Sequence, residues 1–123
     1  MEIKSLIYVG LGGGIGSICR YIIYILLPFQ IGKSFPWPTL VVNILGSLFI
    51  GIIYALFQKN QLTSPQYILI VTGVLGGFTT FSAFSIESFQ LLKNGELFLS
   101  MVYVLTTITI AILSVWVGIK IIK

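Results

Sequence analysis

Four apolar stretches divide the chain, at about residues 3–27, 38–57, 66–92 and 97–121, each parted from the next by a short polar or proline-bearing segment. A helix needs about 20 residues to cross a hydrocarbon core of about 30 Å, so each stretch is predicted to be one membrane span. Together they leave no room for a soluble unit, and residues 1–123 read as a single four-span membrane domain, all α.

Within the spans, small and polar positions recur at helical spacing. In span 1, Gly10/Gly14, Gly12/Gly16 and Gly13/Ser17 each stand four apart, so small residues line one face and allow another backbone to come close. The segment "FPWP" places Trp37 at an interface and Pro38 in the first turn of span 2, where its missing N–H costs nothing. Thr39, Asn43 and Ser47 then form a polar stripe on one helix face. Span 4 repeats the pattern with Tyr103, Thr107 and Ser114, flanked by Thr106 and Thr109.

Span 3 is too long for one upright helix. It opens at "LTSPQ", with Ser64 expected as N-cap and Pro65 as first helical residue. Residues 66–75 are almost wholly apolar, "GGFTT" interrupts, and residues 81–92 interleave Phe with Ser. The expectation is a helix broken near its middle, at Gly76 and Gly77, with Thr79 and Thr80 restarting it. A break frees carbonyl and N–H groups that a bilayer tolerates only where protein or a hydrated cavity satisfies them. Carbonyl ends suit a small cation and amide ends an anion. Beyond the break Phe81, Phe84 and Ser88 share one face, and Ser82, Ser85 and Phe89 the adjoining one. At about 1.5 Å per residue, Glu87 should lie about 15 Å from the midplane, at a vestibule mouth or simply in solvent.

Composition agrees with this pattern: of 123 residues, 57% are hydrophobic and 8% charged, outside the range of soluble domains. One lysine before the first apolar run and no cleavage signature predict a retained first span, with the mature protein starting near Met1. The net charge of +4 comes from lysines and an arginine scattered singly, which is membrane-surface charge and implies no nucleic-acid partner. A lone Cys19 and the lack of histidine exclude a disulfide framework and His/Cys metal sites. With both termini on one side, Lys4, Lys59, Lys120 and Lys123 face Lys33 and Lys93, with Arg20 nearby. So weak an asymmetry leaves two outcomes, one orientation with termini inside or insertion both ways, the latter giving an antiparallel two-fold dimer.

Enzyme signatures are missing: there is no phosphate-binding Gly-Lys loop, no histidine base, and the carboxylates Glu2, Glu87 and Glu96 sit at or near span ends. A passive pathway therefore fits better than a coupled one. Arg20, inside span 1, must snorkel or find carbonyl or anionic partners. Asn43 either lines a pathway or bonds another helix, and Phe81 and Phe84 either line it or serve as ordinary apolar packing. Neutral donors with electropositive ring edges suit a small anion, because they replace its hydration without holding it too tightly.

The segments "GGGIGSICRY", "PTLVVNILGSLFIG" and "GVLGGFTTFSAFS" resemble the signature segments of the CrcB/Fluc fluoride channels, across spans 1 to 3. The resemblance implies a passive, fluoride-selective channel in the bacterial plasma membrane that exports cytoplasmic fluoride and protects the cell from its toxicity. It also implies a dual-topology antiparallel homodimer, or a heterodimer with a paralogue, with two fluoride pathways and a structural sodium ion on the two-fold axis. On the matching positions, Asn43 corresponds to the pore asparagine and Phe81 and Phe84 to the phenylalanine box. Ser82 belongs to the hydroxyl track, Tyr103 is the span 4 tyrosine near the box, and Arg20 is the span 1 arginine. Thr107, from the span 4 stripe, completes the expected fluoride-binding set. Gly76 and Thr79 correspond to the sodium-binding backbone carbonyls. Ala83 and Ser17 depart from the family pattern, which more often has threonine and alanine there. Small multidrug exporters share this length and topology but need a glutamate within span 1, which is missing here. A purely accessory subunit leaves the hydroxyl stripes and the broken span unexplained.

Overall fold

A computed structural model describes residues 2–123; Met1, the expected start of the mature chain, lies outside the described residues. The chain is all helical, and Ile3–Leu26, Trp37–Gln58, Ser64–Lys93 and Leu97–Ile122 are each long and apolar enough to cross a membrane. The first, second and fourth crossings are single helices, α1 (Ile3–Leu26), α2 (Trp37–Gln58) and α6 (Leu97–Ile122). Large apolar side chains such as Ile18, Leu105 and Trp116 face outward, as a lipid solvent requires.

The third crossing has four parts: α3 (Ser64–Tyr67), a π-helical stretch (Ile68–Leu75), α4 (Gly76–Phe78) and α5 (Phe81–Lys93). Its N-cap is Thr63, one residue before the expected Ser64: Gln66 N–H donates to the Thr63 hydroxyl, and Thr63 N–H to the Gln66 side chain at 2.9 Å. This reciprocal pair satisfies two otherwise orphaned donors, leaving Ser64 and Pro65 as the first helical residues.

The break also lies later than expected. Gly76 has helical dihedrals (φ −62°, ψ −37°) and Gly76–Phe78 is a helical turn. The chain becomes extended at Thr79 and Thr80 (φ −84° and −151°). Thr80 then caps α5, its hydroxyl accepting from Ala83 N–H at 3.1 Å. Gly77 serves close packing instead: a Cβ on it would stand 3.0 Å from the Gly13 Cα.

Small residues explain how the crossings pair. α1 lies against the π-helical stretch and α4, where a Cβ on Gly16 would stand 2.8 Å from the Phe78 nitrogen. α2 lies against α6, where a Cβ on Gly118 would stand 2.9 Å from the Ile52 nitrogen. Such contacts let backbones approach and gain dispersion energy where lipid removes any hydrophobic drive between helices. On the side away from the termini, Asn94 Nδ2 donates to the Gly32 carbonyl at 3.0 Å and joins the two loops. On the termini side, Lys59 Nζ donates to the Ile122 carbonyl at 2.7 Å.

Candidate functional site

The extended residues Thr79 and Thr80 interrupt the third crossing beside the polar stripe of α2. Asn43 meets this interruption with both ends of its amide: Oδ1 accepts from Thr80 N–H at 2.8 Å and Nδ2 donates to the Thr80 carbonyl at 3.0 Å. One Nδ2 proton remains, since a primary amide has two. Asn43 thus bonds another crossing of its own chain and also lines the adjoining cavity.

Around this clasp lies a cavity of about 350 Å³, lined by Asn43 and Ser47 of α2, Thr79 and Thr80, Phe81 and Phe84 of α5, and Thr107, Ile108 and Ala111 of α6. Among the expected anion-site residues, the fold brings Asn43, Phe81, Phe84 and Thr107 to one cavity. The Phe81 and Phe84 ring centroids stand 5.6 Å apart at 59°. Phe84 is buried, while Phe81 is 77% exposed, so the cavity lacks a wall on its side. Thr107 is buried, and its hydroxyl has no hydrogen-bond partner among the described residues. A buried hydroxyl left so incurs a desolvation cost, and polar groups of this kind call for a ligand, water or ion.

The hydroxyls expected to form a continuous track divide into used and free ones. Ser85 donates to the Phe81 carbonyl at 2.9 Å, Ser88 to Phe84 at 2.7 Å and Ser114 to Ile110 at 2.7 Å. Back-bonding to the preceding turn is a common fate of hydroxyls in membrane helices, and it removes these three from any track. Ser82 is exposed, lies outside the cavity lining and pairs with the Thr80 hydroxyl at 3.2 Å.

Tyr103 is fully buried behind the cavity rather than in its lining, with its ring 5.2 Å from Phe84 and 5.3 Å from Phe35. Its hydroxyl donates to Glu87 Oε1 at 2.8 Å, and Thr39 donates to Glu87 Oε2 at 2.8 Å. With its proton so committed, Thr39 accepts from the Tyr24 hydroxyl of α1. Glu87 is therefore buried and doubly hydrogen-bonded, which removes the alternative that it is simply in solvent. Position along the span does not set exposure, because a carboxylate at the end of a crossing is still enclosed when neighbouring helices reach as far. The missed signal is that Phe84, Glu87 and Leu91 share one face of α5, its buried one.

Arg20 resolves its alternatives by reaching a carbonyl: Nε donates to Gly77 O at 3.0 Å. The Leu75 carbonyl is also occupied, by Thr79 N–H at 3.0 Å and Thr79 Oγ1 at 2.9 Å. The carbonyl oxygens of Gly76 and Thr79 accept no hydrogen bond among the described residues. Such oxygens are hard donors of the kind that alkali and alkaline-earth cations prefer.

Residues 7–119 match the family described as CrcB-like protein, Camphor Resistance (CrcB). Curated relatives extend the match to nearly the whole chain. The fluoride-specific ion channel FluC of Flavobacterium psychrophilum is 36% identical over 121 residues, 98% of each chain. That of Leptospira interrogans is 42% identical over 121 residues, 98% of this chain and 95% of the relative. That of Phocaeicola vulgatus is 42% identical over 116 residues, 94% of this chain and 96% of the relative. An all-helical chain with four apolar crossings, a bent third one and a full-length match of this kind belongs to the CrcB family of membrane ion channels.

Proposed function

We propose that this chain forms a passive, fluoride-selective channel in the cell membrane that lets cytoplasmic fluoride leave and so protects the cell. The observation that carries the proposal is the cavity at the break, lined by Asn43 with an Nδ2 proton to spare, by Thr107 and by two phenylalanines. Neutral donors and ring edges compensate a small anion for lost water and still release it. The name fluoride-specific ion channel on relatives of equal length supports the same reading.

The conducting form is an antiparallel dimer of dual topology, with a second copy, or a paralogue, closing the cavity. Exposed Phe81 and the open space above Gly10 and Gly14 on α1 support it, since both offer a surface for another chain. A sodium ion on the dimer axis would be held by the Gly76 and Thr79 carbonyls of each chain. Two oxygens are too few for a bare cation, and a two-fold mate doubles them to four.

The test is fluoride efflux from liposomes containing the purified full-length protein, with chloride as control. Fluoride flux well above that of empty vesicles, with chloride retained, is the expected result; flux equal to empty vesicles refutes the channel. Buried Glu87 favours a second reading, proton-coupled exchange, because coupled transporters place carboxylates within spans. Efflux that requires an imposed proton gradient would select that reading over a passive pore.

A further inference from the structure

We infer that Arg20 is a positioning residue for the break, holding the Gly77 peptide so that the neighbouring Gly76 carbonyl is aimed away from α1 and presented to a cation. The inference rests on the proposed sodium site and assigns the residue that shapes it. A helix that stops inside a bilayer leaves its last carbonyls without partners. Here Leu75 O goes to Thr79, Gly77 O to Arg20 and Thr80 O to Asn43, which leaves Gly76, Phe78 and Thr79 without a partner among the described residues. Arg20 thus takes the Gly77 oxygen out of the free set.

The geometry gives this contact leverage. The carbonyls of a helical turn run nearly parallel to the axis, with successive oxygens placed about 100° apart around it, so with Gly77 O on the side that Arg20 reaches, Gly76 O lies on another side of the turn. α1 is itself fixed in place, since Gly12 and Gly16 seat its backbone against Gly73, Val74 and Phe78. No carboxylate pairs with Arg20 among the described residues, and its one hydrogen bond goes to the break. An arginine in a span with no ion-pair partner is costly, and here its charge strengthens a hydrogen bond to a carbonyl. The guanidinium also adds a fixed positive charge near the proposed site. Coulomb repulsion grows with the charge of the incoming ion, so Arg20 disfavours a divalent cation more than a monovalent one.

The experiment is thermal unfolding of the purified full-length protein in detergent, titrating sodium chloride or calcium chloride against N-methyl-D-glucamine chloride at constant ionic strength. Wild type, R20K and R20Q are compared, with fluoride efflux measured in parallel. Wild type is expected to be stabilised by sodium. R20Q should need about tenfold more sodium for half its effect, as for the loss of one charge-assisted hydrogen bond, and should gain in its response to calcium relative to sodium. R20K, which keeps the charge without the planar donor, should fall between on sodium and keep the wild-type ratio of calcium to sodium response. Should R20Q fail to fold, R20K alone carries the test through its sodium midpoint. A merely structural role predicts lower stability at every cation concentration with both midpoints unmoved, and that result overturns the inference. Wild type without a sodium response removes the sodium site and this inference together, while the parallel efflux shows whether the channel reading survives.

Discussion

The α2–α6 seam and the crossing of α1 over the third span are both built on glycine, yet only one of them is polar. Along α2 and α6, Gly51 and Gly118 let unbroken helices touch, and apart from Lys59 at one end no side-chain hydrogen bond joins them among the described residues. Where α1 meets the third span, Gly12 and Gly16 do the same work, but Arg20 also reaches Gly77, and Asn43 clasps Thr80 from the opposite side. The difference follows from the backbone. An intact helix satisfies its own N–H and C=O groups and needs only a complementary shape. An interrupted one must borrow donors and acceptors from its neighbours, and the cavity forms where that borrowing is incomplete.

What the two regions share is shown by the largest expected effect. Gly16→Val and Gly118→Val each drive a side chain into a facing backbone, which overpacks by more than about 3 kcal/mol. Both should lose nearly all monodisperse protein on size exclusion from detergent. Survival of one and loss of the other would show that the regions are not equally dependent on close approach.

The next substitution separates them. Asn43→Leu leaves the Thr80 N–H and C=O without partners, each at about 1–3 kcal/mol, so the melting temperature should drop along with fluoride flux. A Leu variant that melts like wild type would mean the break is held by other contacts.

Two lining residues then divide flux from stability. Phe81→Ile alters a ring that is 77% exposed in the single chain, so stability of the single chain should move by less than about 0.5 kcal/mol while liposome flux falls sharply. Thr107→Val removes a buried hydroxyl with no partner; it should leave the protein as stable or up to about 1 kcal/mol more so, with flux reduced about tenfold as one donor is lost. Unchanged flux in both would take the cavity out of the pathway.

The smallest effect is Ser85→Ala. Its hydroxyl is bonded back to Phe81 O, so both flux and melting temperature should match wild type within about 0.5 kcal/mol. A large loss of flux would return Ser85 to the hydroxyl track that its hydrogen bond removes it from.

Sequence by itself determined the four crossings, because a bilayer imposes length and apolarity on each span independently of its neighbours. It also placed the stripe of Thr39, Asn43 and Ser47, since a four-residue repeat defines a helix face before any partner is known. An interruption in the third span was legible for the same local reason, although it fell at Thr79 and Thr80 and not at the glycines. Glycine permits a break but equally permits close packing, and only the presence of Gly13 opposite Gly77 decides between them. Hydroxyl roles were illegible too: Ser85, Ser88 and Thr107 look alike in sequence, and tertiary context leaves only Thr107 without a partner. Glu87 needed Thr39 and Tyr103, from two other helices, to become a buried hydrogen-bonded carboxylate. Where a property belongs to one helix and its solvent, the sequence suffices; where it depends on which groups from separate helices meet, only the packed structure decides it.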